Sequence, residues 1–168
     1  MIGLSPKVII FLISISLAGC GFNLRGSMEM PFDSIRIVSN EFSLFDSELE
    51  RMFSSNENIV LVVGEGERSD VVLSIISKER SRKIISLSNA GNVREFELRY
   101  VVAYRVRGKR IVGSTDDQEI KVFRSLTYSD DKLLAKEEEE LLLFEEMQMD
   151  AASQLARRLV TLQLKPGL

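Results

Sequence analysis

Between Glu95 and Arg107, Phe96, Leu98, Tyr100, Val102, Tyr104 and Val106 occupy every second position. Glu95, Glu97, Arg99, Arg105 and Arg107 fall between them, and only Val101 and Ala103 soften that polar face. A period of two gathers all six apolar side chains on one face of a strand, whereas a helix would scatter them. One face must be buried and the other left in water, which suits an antiparallel sheet packed on one side. A strand this long needs long neighbours in the sheet and a layer to cover its apolar face.

The neighbours are legible. Ser34 to Val38 alternates apolar and polar and reads as a strand. Ile59-Val60-Leu61-Val62-Val63 is a run of apolar, mostly β-branched residues that suits a strand buried on both faces. In Asp70 to Lys78, Val71, Leu73 and Ile75 point one way. The polar stretch Lys78 to Lys83 either continues that strand as a solvated rib or bulges, and Ile84 to Ser88 resumes strand character. Asn89-Ala90-Gly91-Asn92 then turns the chain into the long strand. Gly108-Lys109 turns it again, and Glu119 to Leu126 is a further strand with Lys121 and Arg124 on opposite faces.

Two amphipathic helices supply the cover. Ser43 or Asp46 caps the first, which ends near Asn56 and carries Phe45, Leu49, Met52 and Phe53 at helical spacing. Ser129-Asp130-Asp131 precedes the second, from about Leu133 to Leu162, whose stripe is Phe144, Met147, Ala151, Leu155, Leu159 and Leu162. Leu141, Leu142 and Leu143 widen that stripe. Glu137 to Glu140 form a solvated face in its early turns, Arg157 and Arg158 suit its C-terminal dipole, and Lys165-Pro166-Gly167 stops it. The order implies an α+β fold: a two-layer sandwich with a mostly antiparallel sheet of about four strands and both helices packed on one face.

The start of the chain carries a different signal. Lys7 precedes an apolar run from Val8 to Leu17, broken only by Ser14 and Ser16, and then come Ala18, Gly19 and the sole cysteine, Cys20. The run is too short to span a bilayer as a helix, which takes about 20 apolar residues, and it fits a secretory segment. Leu17-Ala18-Gly19-Cys20 has the layout of a lipobox. Residues 1–19 are therefore expected to be a lipoprotein signal peptide. Cys20 becomes a lipid anchor, and residues 20–168 form a single domain facing the periplasm; the bland alternative is a plain signal peptide with an incidental cysteine. Several acyl chains hold a protein stably at a membrane where one holds it marginally. Gly21 stands where an aspartate would retain a lipoprotein in the inner membrane, which favours the outer membrane.

Composition narrows the chemistry. The chain has no histidine, so neither a Ser-His-Asp triad nor the commonest zinc ligand is present. With Cys20 lipidated no thiol is left for a metal. Neighbouring carboxylates along Glu137 to Glu140 do not converge on a bond. A net charge of −3 gives no footing for nucleic acid. No enzyme activity, cofactor or metal is expected.

Cys20-Gly21-Phe22-Asn23-Leu24-Arg25 resembles the C-G-[WF]-x-L-R start of mature LPS-assembly lipoproteins, the LptE family. Lys121-Val122-Phe123-Arg124-Ser125 resembles that family's K-V-F-R-S strand. Leu134-Ala135-Lys136 and the helix through Glu145-Glu146-Met147, Ala151-Ala152, Gln154-Leu155 and Arg158-Leu159 continue the likeness. The resemblance implies a lipoprotein that plugs the outer-membrane barrel LptD, helps it assemble, and takes part with it in lipopolysaccharide assembly. It implies lipopolysaccharide contact at Lys136, in the L-A-K position, and more weakly at Lys121 and Arg124. The family loop before the central strand often carries a basic residue. Here Ser88-Asn89-Ala90-Gly91 carries none, while Arg82, Lys83 and Arg94 lie nearby. Two bland readings stand beside these: Lys136 as an ordinary solvated residue, and Arg124 as the partner of an acidic neighbour. The alternative function is a free-standing periplasmic lipid-binding carrier.

Overall fold

A computed structural model describes residues 29–64, 68–112 and 116–165. Cys20 and the whole proposed signal segment lie outside them. Five strands form one sheet in the order β2-β1-β3-β4-β5. They are β1 (Ser34–Ser39), β2 (Val60–Leu61), β3 (Val71–Leu87), β4 (Val93–Arg107) and β5 (Gln118–Thr127). The long pairings β3–β4 and β4–β5 are antiparallel, while β1 pairs parallel with both β2 and β3. Two helices, α1 (Leu44–Ser54) and α2 (Leu133–Val160), complete an α+β fold, with a 3-10 turn at Asp130–Lys132 before α2. The sheet has one strand more than the sequence suggested.

β4 behaves as its alternation demands. Phe96, Leu98, Tyr100, Val102, Tyr104 and Val106 are all buried. They meet Val71, Leu73 and Ile75 of β3, Ile120, Val122 and Leu126 of β5, and the stripes of both helices in one core. Phe45, Leu49 and Phe53 of α1 and Met147, Ala151, Ala152 and Leu155 of α2 are almost wholly inaccessible. Ala151 and Ala152 let α2 approach closely. Phe45 meets Tyr100 edge to face at 6.4 Å between ring centroids.

A capping box opens α1. Asp46 accepts the Ser43 N–H at 2.7 Å and the Ser43 hydroxyl at 2.6 Å. Asp46 also takes a hydrogen bond from Lys78 of β3, whose ammonium donates to Ser39 and Ser43 hydroxyls at 3.2 Å and to the Glu41 carbonyl. The Asp46 side chain is buried and that of Lys78 nearly so. One ammonium thus ties β3, the end of β1 and the start of α1 together.

Three expectations need correction. Ile59 to Val63 is not a strand buried on both faces. Only Val60–Leu61 pairs, at the sheet edge beside β1, and Val60 and Val63 are 64% and 82% exposed. An edge position offers one neighbour, and Gly64 at φ 127° turns the chain away. Leu141 and Leu142 do not widen the buried stripe of α2: both are exposed, and only Leu143 packs on the core. The helix also ends at Val160, not Leu162. In β3, the polar stretch from Lys78 is both a continuation and a bulge. The strand is unbroken, but Ile75 faces Tyr104 while Ser77 faces Ala103, so Ile76 is an extra residue.

Candidate functional site

The bulge at Ile76 decides what the far half of β3 shows to the helices. Before it, Val71, Leu73 and Ile75 point inward. After it the inward positions are Lys78, Arg80, Arg82 and Ile84, which stand opposite the core residues Val102, Tyr100, Leu98 and Phe96 of β4. Lys78 lies under the start of α1. Beyond it, α1 no longer covers the sheet, and the early turns of α2 take its place.

An open groove of about 640 Å³ lies there, lined by Arg80, Ser81 and Arg82 of β3 and Glu137, Glu140, Leu141 and Phe144 of α2. The Arg80 guanidinium sits over the Phe144 ring at 5.5 Å and that of Arg82 over Phe96 at 4.9 Å. Arg82 also donates to Glu140 at 3.0 Å. No acidic group among the described residues pairs with Arg80. Next to Arg80, Tyr100 is buried with its hydroxyl unpartnered, and burial pushes that phenol well above its ordinary pKa. Leu141, Leu142 and Leu134, the last 77% exposed, give α2 an apolar lip along its outer side. The groove therefore sets two cations and two carboxylates beside apolar surface, with Arg80 the cation that no acidic group among the described residues answers.

Lys136 belongs to this end of the molecule. It lies one turn before Glu140 on α2 and pairs with Glu139 at 2.7 Å. Arg124 sits on the inner face of β5 and donates to Asp150 of α2 at 3.1 Å, as the bland reading of this residue had it. Lys121 is on the outer face, paired with Glu119 at 2.7 Å. The structure thus puts Lys121 and Arg124 on opposite faces, and it does not gather them with Lys136. Arg82 was named from the sequence only as a basic residue near the turn before the central strand, and Arg80 was not singled out; the available signal was a polar run from Lys78 to Lys83 that keeps strand length. Glu140 is not purely solvated, since it answers Arg82.

The outer face of the sheet is charged and largely self-paired: Arg99 with Glu97, Arg105 with Asp117, Lys121 with Glu119. Among the described residues no group of carboxylates, thiols or imidazoles could hold a metal. No described helix is long and apolar enough to cross a membrane.

Residues 32–159 match the family model described as "LptE: Lipopolysaccharide-assembly". The LPS-assembly lipoprotein LptE of Yersinia pestis (strain Pestoides F) is 30% identical over 150 residues, covering 86% of this chain and 70% of the relative. In solution, lipoprotein B of Nitrosomonas europaea has a similar structure, with a TM-score of 0.68 at 37% identity over 83% of this chain and 90% of that one. The crystal structure of rare lipoprotein B from Shewanella oneidensis matches at a TM-score of 0.65 and 25% identity, over 74% of this chain and 92% of that one.

Proposed function

This chain belongs to the LptE family of lipopolysaccharide-assembly lipoproteins, and on that premise we propose that it is an outer-membrane lipoprotein that assembles with and plugs the LptD β-barrel. Acyl chains on Cys20 hold it on the periplasmic side, where it takes part in lipopolysaccharide assembly without catalysing a reaction. The observation that carries the reading is the family match across residues 32–159.

The fold is consistent with a plug. Side chains from both helices fill the space above the sheet, as a plug requires and a carrier with an acyl-chain cavity does not. The charged outer face suits the polar interior of a large barrel. The groove suits lipopolysaccharide: Arg80 and Arg82 meet its phosphates through charge-assisted hydrogen bonds, Leu141 meets its acyl region, and Lys136, one turn before Glu140 on α2 and outside the lining itself, adds its charge at the groove's end. Lys121 and Arg124 stand outside this groove and contribute less.

Two measurements test this. Tagged full-length protein, drawn from its own outer membrane in mild detergent, should bring a large β-barrel in equal amount; recovery alone, or with lipid only, would sink the plug reading and favour the carrier. Within that complex, Lys136→Glu with Arg82→Glu should lower co-purified lipopolysaccharide by about tenfold, the worth of a charge-assisted hydrogen bond. Unchanged lipopolysaccharide would remove the groove from the account.

A further inference from the structure

A second pocket lies at the other end of the sheet, where β1 and β3 begin and β4 ends. Its volume is about 440 Å³, and Arg36, Arg68, Ser69, Asp70, Lys109 and Arg110 are among the residues that line it. Four cations thus face one carboxylate in a chain whose net charge is −3. That carboxylate is already engaged: Asp70 Oδ2 accepts from the Asp33 N–H at 3.2 Å, the Ser34 N–H at 3.1 Å and the Ser34 hydroxyl at 3.0 Å. Gly108 lets the two walls close up, because a Cβ there would collide with the Asp70 carbonyl.

Two polar atoms in this pocket have no partner. Arg36 Nε and Ser69 Oγ are both buried and make no hydrogen bond. A buried donor left unpaired is costly and rare, so two lining one cationic pocket indicate a missing acceptor. Arg110 is only partly committed, through Nε to the Lys165 carbonyl at 3.1 Å. A tetrahedral oxyanion in the pocket would meet the free guanidinium edges directly and, with a turn of the Arg36 and Ser69 side chains, their unpaired donors as well.

The chain's own route says where the oxyanion comes from. Asp33 and Ser34, bonded to Asp70, follow directly on the segment that leads back to Cys20. Glu29 is the ninth residue after Cys20, a reach of about 32 Å at most. We infer that this pocket binds the phosphate of an anionic phospholipid headgroup in the leaflet that holds the anchor, with Arg36, Ser69, Arg68, Lys109 and Arg110 as donors. The inference rests on the anchor reading of Cys20. It gives the domain a second hold on the membrane and with it a fixed orientation.

The test uses the full-length acylated protein in neutral detergent, titrated with dihexanoyl phosphatidylglycerol, dihexanoyl phosphatidylcholine, inorganic phosphate and oligoglutamate, and read by calorimetry and by the NMR signals of arginine Nε–H. Phosphatidylglycerol should bind most tightly and shift the Arg36 signal, and added salt should weaken it. Arg36→Gln should weaken it by about fivefold, and so should each of Lys109→Gln and Arg110→Gln, the worth of one cation at an anionic surface. Lys109 and Arg110 are exposed, so those variants test the site even where Arg36→Gln unfolds the protein. Equal binding of inorganic phosphate would make this a free-anion site and overturn the headgroup assignment. Tighter binding of oligoglutamate would give it to an acidic protein segment and overturn it too. Absent phosphatidylglycerol binding with Cys20 acylated overturns the site and spares the anchor. An N-terminal peptide whose mass shows no acyl chains overturns the anchor, and the titration then judges the site by itself.

Discussion

Lys78 shows how much one side chain can hold. Its ammonium is buried with Asp46 and has no other carboxylate to turn to among the described residues. Lys78→Met leaves Asp46 as an uncompensated buried charge and should cost about 3–5 kcal/mol, read from denaturant midpoints. Replacing Asp46 as well, with Leu, should recover part of that loss but not the capping box. Burial pushes the Asp46 carboxyl up, yet the hydrogen bonds from Lys78, Ser43 and Ser39 outweigh it and hold the carboxyl below its ordinary value. The group therefore contributes stability above the unfolded carboxylate pKa of about 4, and that stability is lost as pH falls through the folded value. Urea melts from pH 7 to pH 3 should show this acid slope in the wild type and a shallower one in Lys78→Met; equal slopes would assign it to other carboxylates. Tyr100 is the opposite case. Its hydroxyl is buried without a partner, so Tyr100→Phe keeps the ring and removes the unpaired group. Thermal melts should show stability equal or higher, since such a group costs about 1–3 kcal/mol; a clear loss would mean that the hydroxyl has a partner in solution.

At the scale of elements, the sequence was readable where one period runs unbroken. β4 and the two helix stripes were plain for that reason. β3 was ambiguous because its period slips by one residue at Ile76, and polarity alone does not distinguish a solvated rib from cations turned toward a helix. β2 was misread because β-branched composition marks strand character but not the number of neighbours, and its site at the sheet edge is a tertiary fact. Leu141 and Leu142 were placed in the core because helical spacing around three successive leucines admits several faces. The slip in β3 has a direct test. Deleting Ile76 would remove the extra residue and leave Lys78, Arg80 and Arg82 opposite Val102, Tyr100 and Leu98, so Lys78 keeps its reach to Asp46. The deleted protein should keep a cooperative thermal transition. Loss of that transition would mean that the fold needs the bulge itself and not only the register it sets.

At the scale of the whole molecule, the order of elements made the α+β architecture legible, and the family motifs pointed to Lys136. The groove was hidden because its walls come from residues about 60 apart in sequence, joined by contacts such as Arg82 with Glu140. The pocket of Arg36 and Ser69 was hidden for the same reason: β1, the turn after β4 and the approach to β3 meet only in three dimensions. The pocket lies at the start of β3 and the groove just past its middle. β3 is 17 residues long, and at about 3.4 Å per residue it extends for at most roughly 58 Å, nearly twice the 30 Å thickness of a bilayer's hydrocarbon core. The strand is in effect a ruler. Under the proposed anchor at Cys20 and the proposed headgroup pocket, its zero would lie at the inner surface of the membrane and Arg82 would stand about 35 Å along the scale, at the height of the far leaflet, where a barrel lumen would keep the charged outer face of the sheet out of lipid.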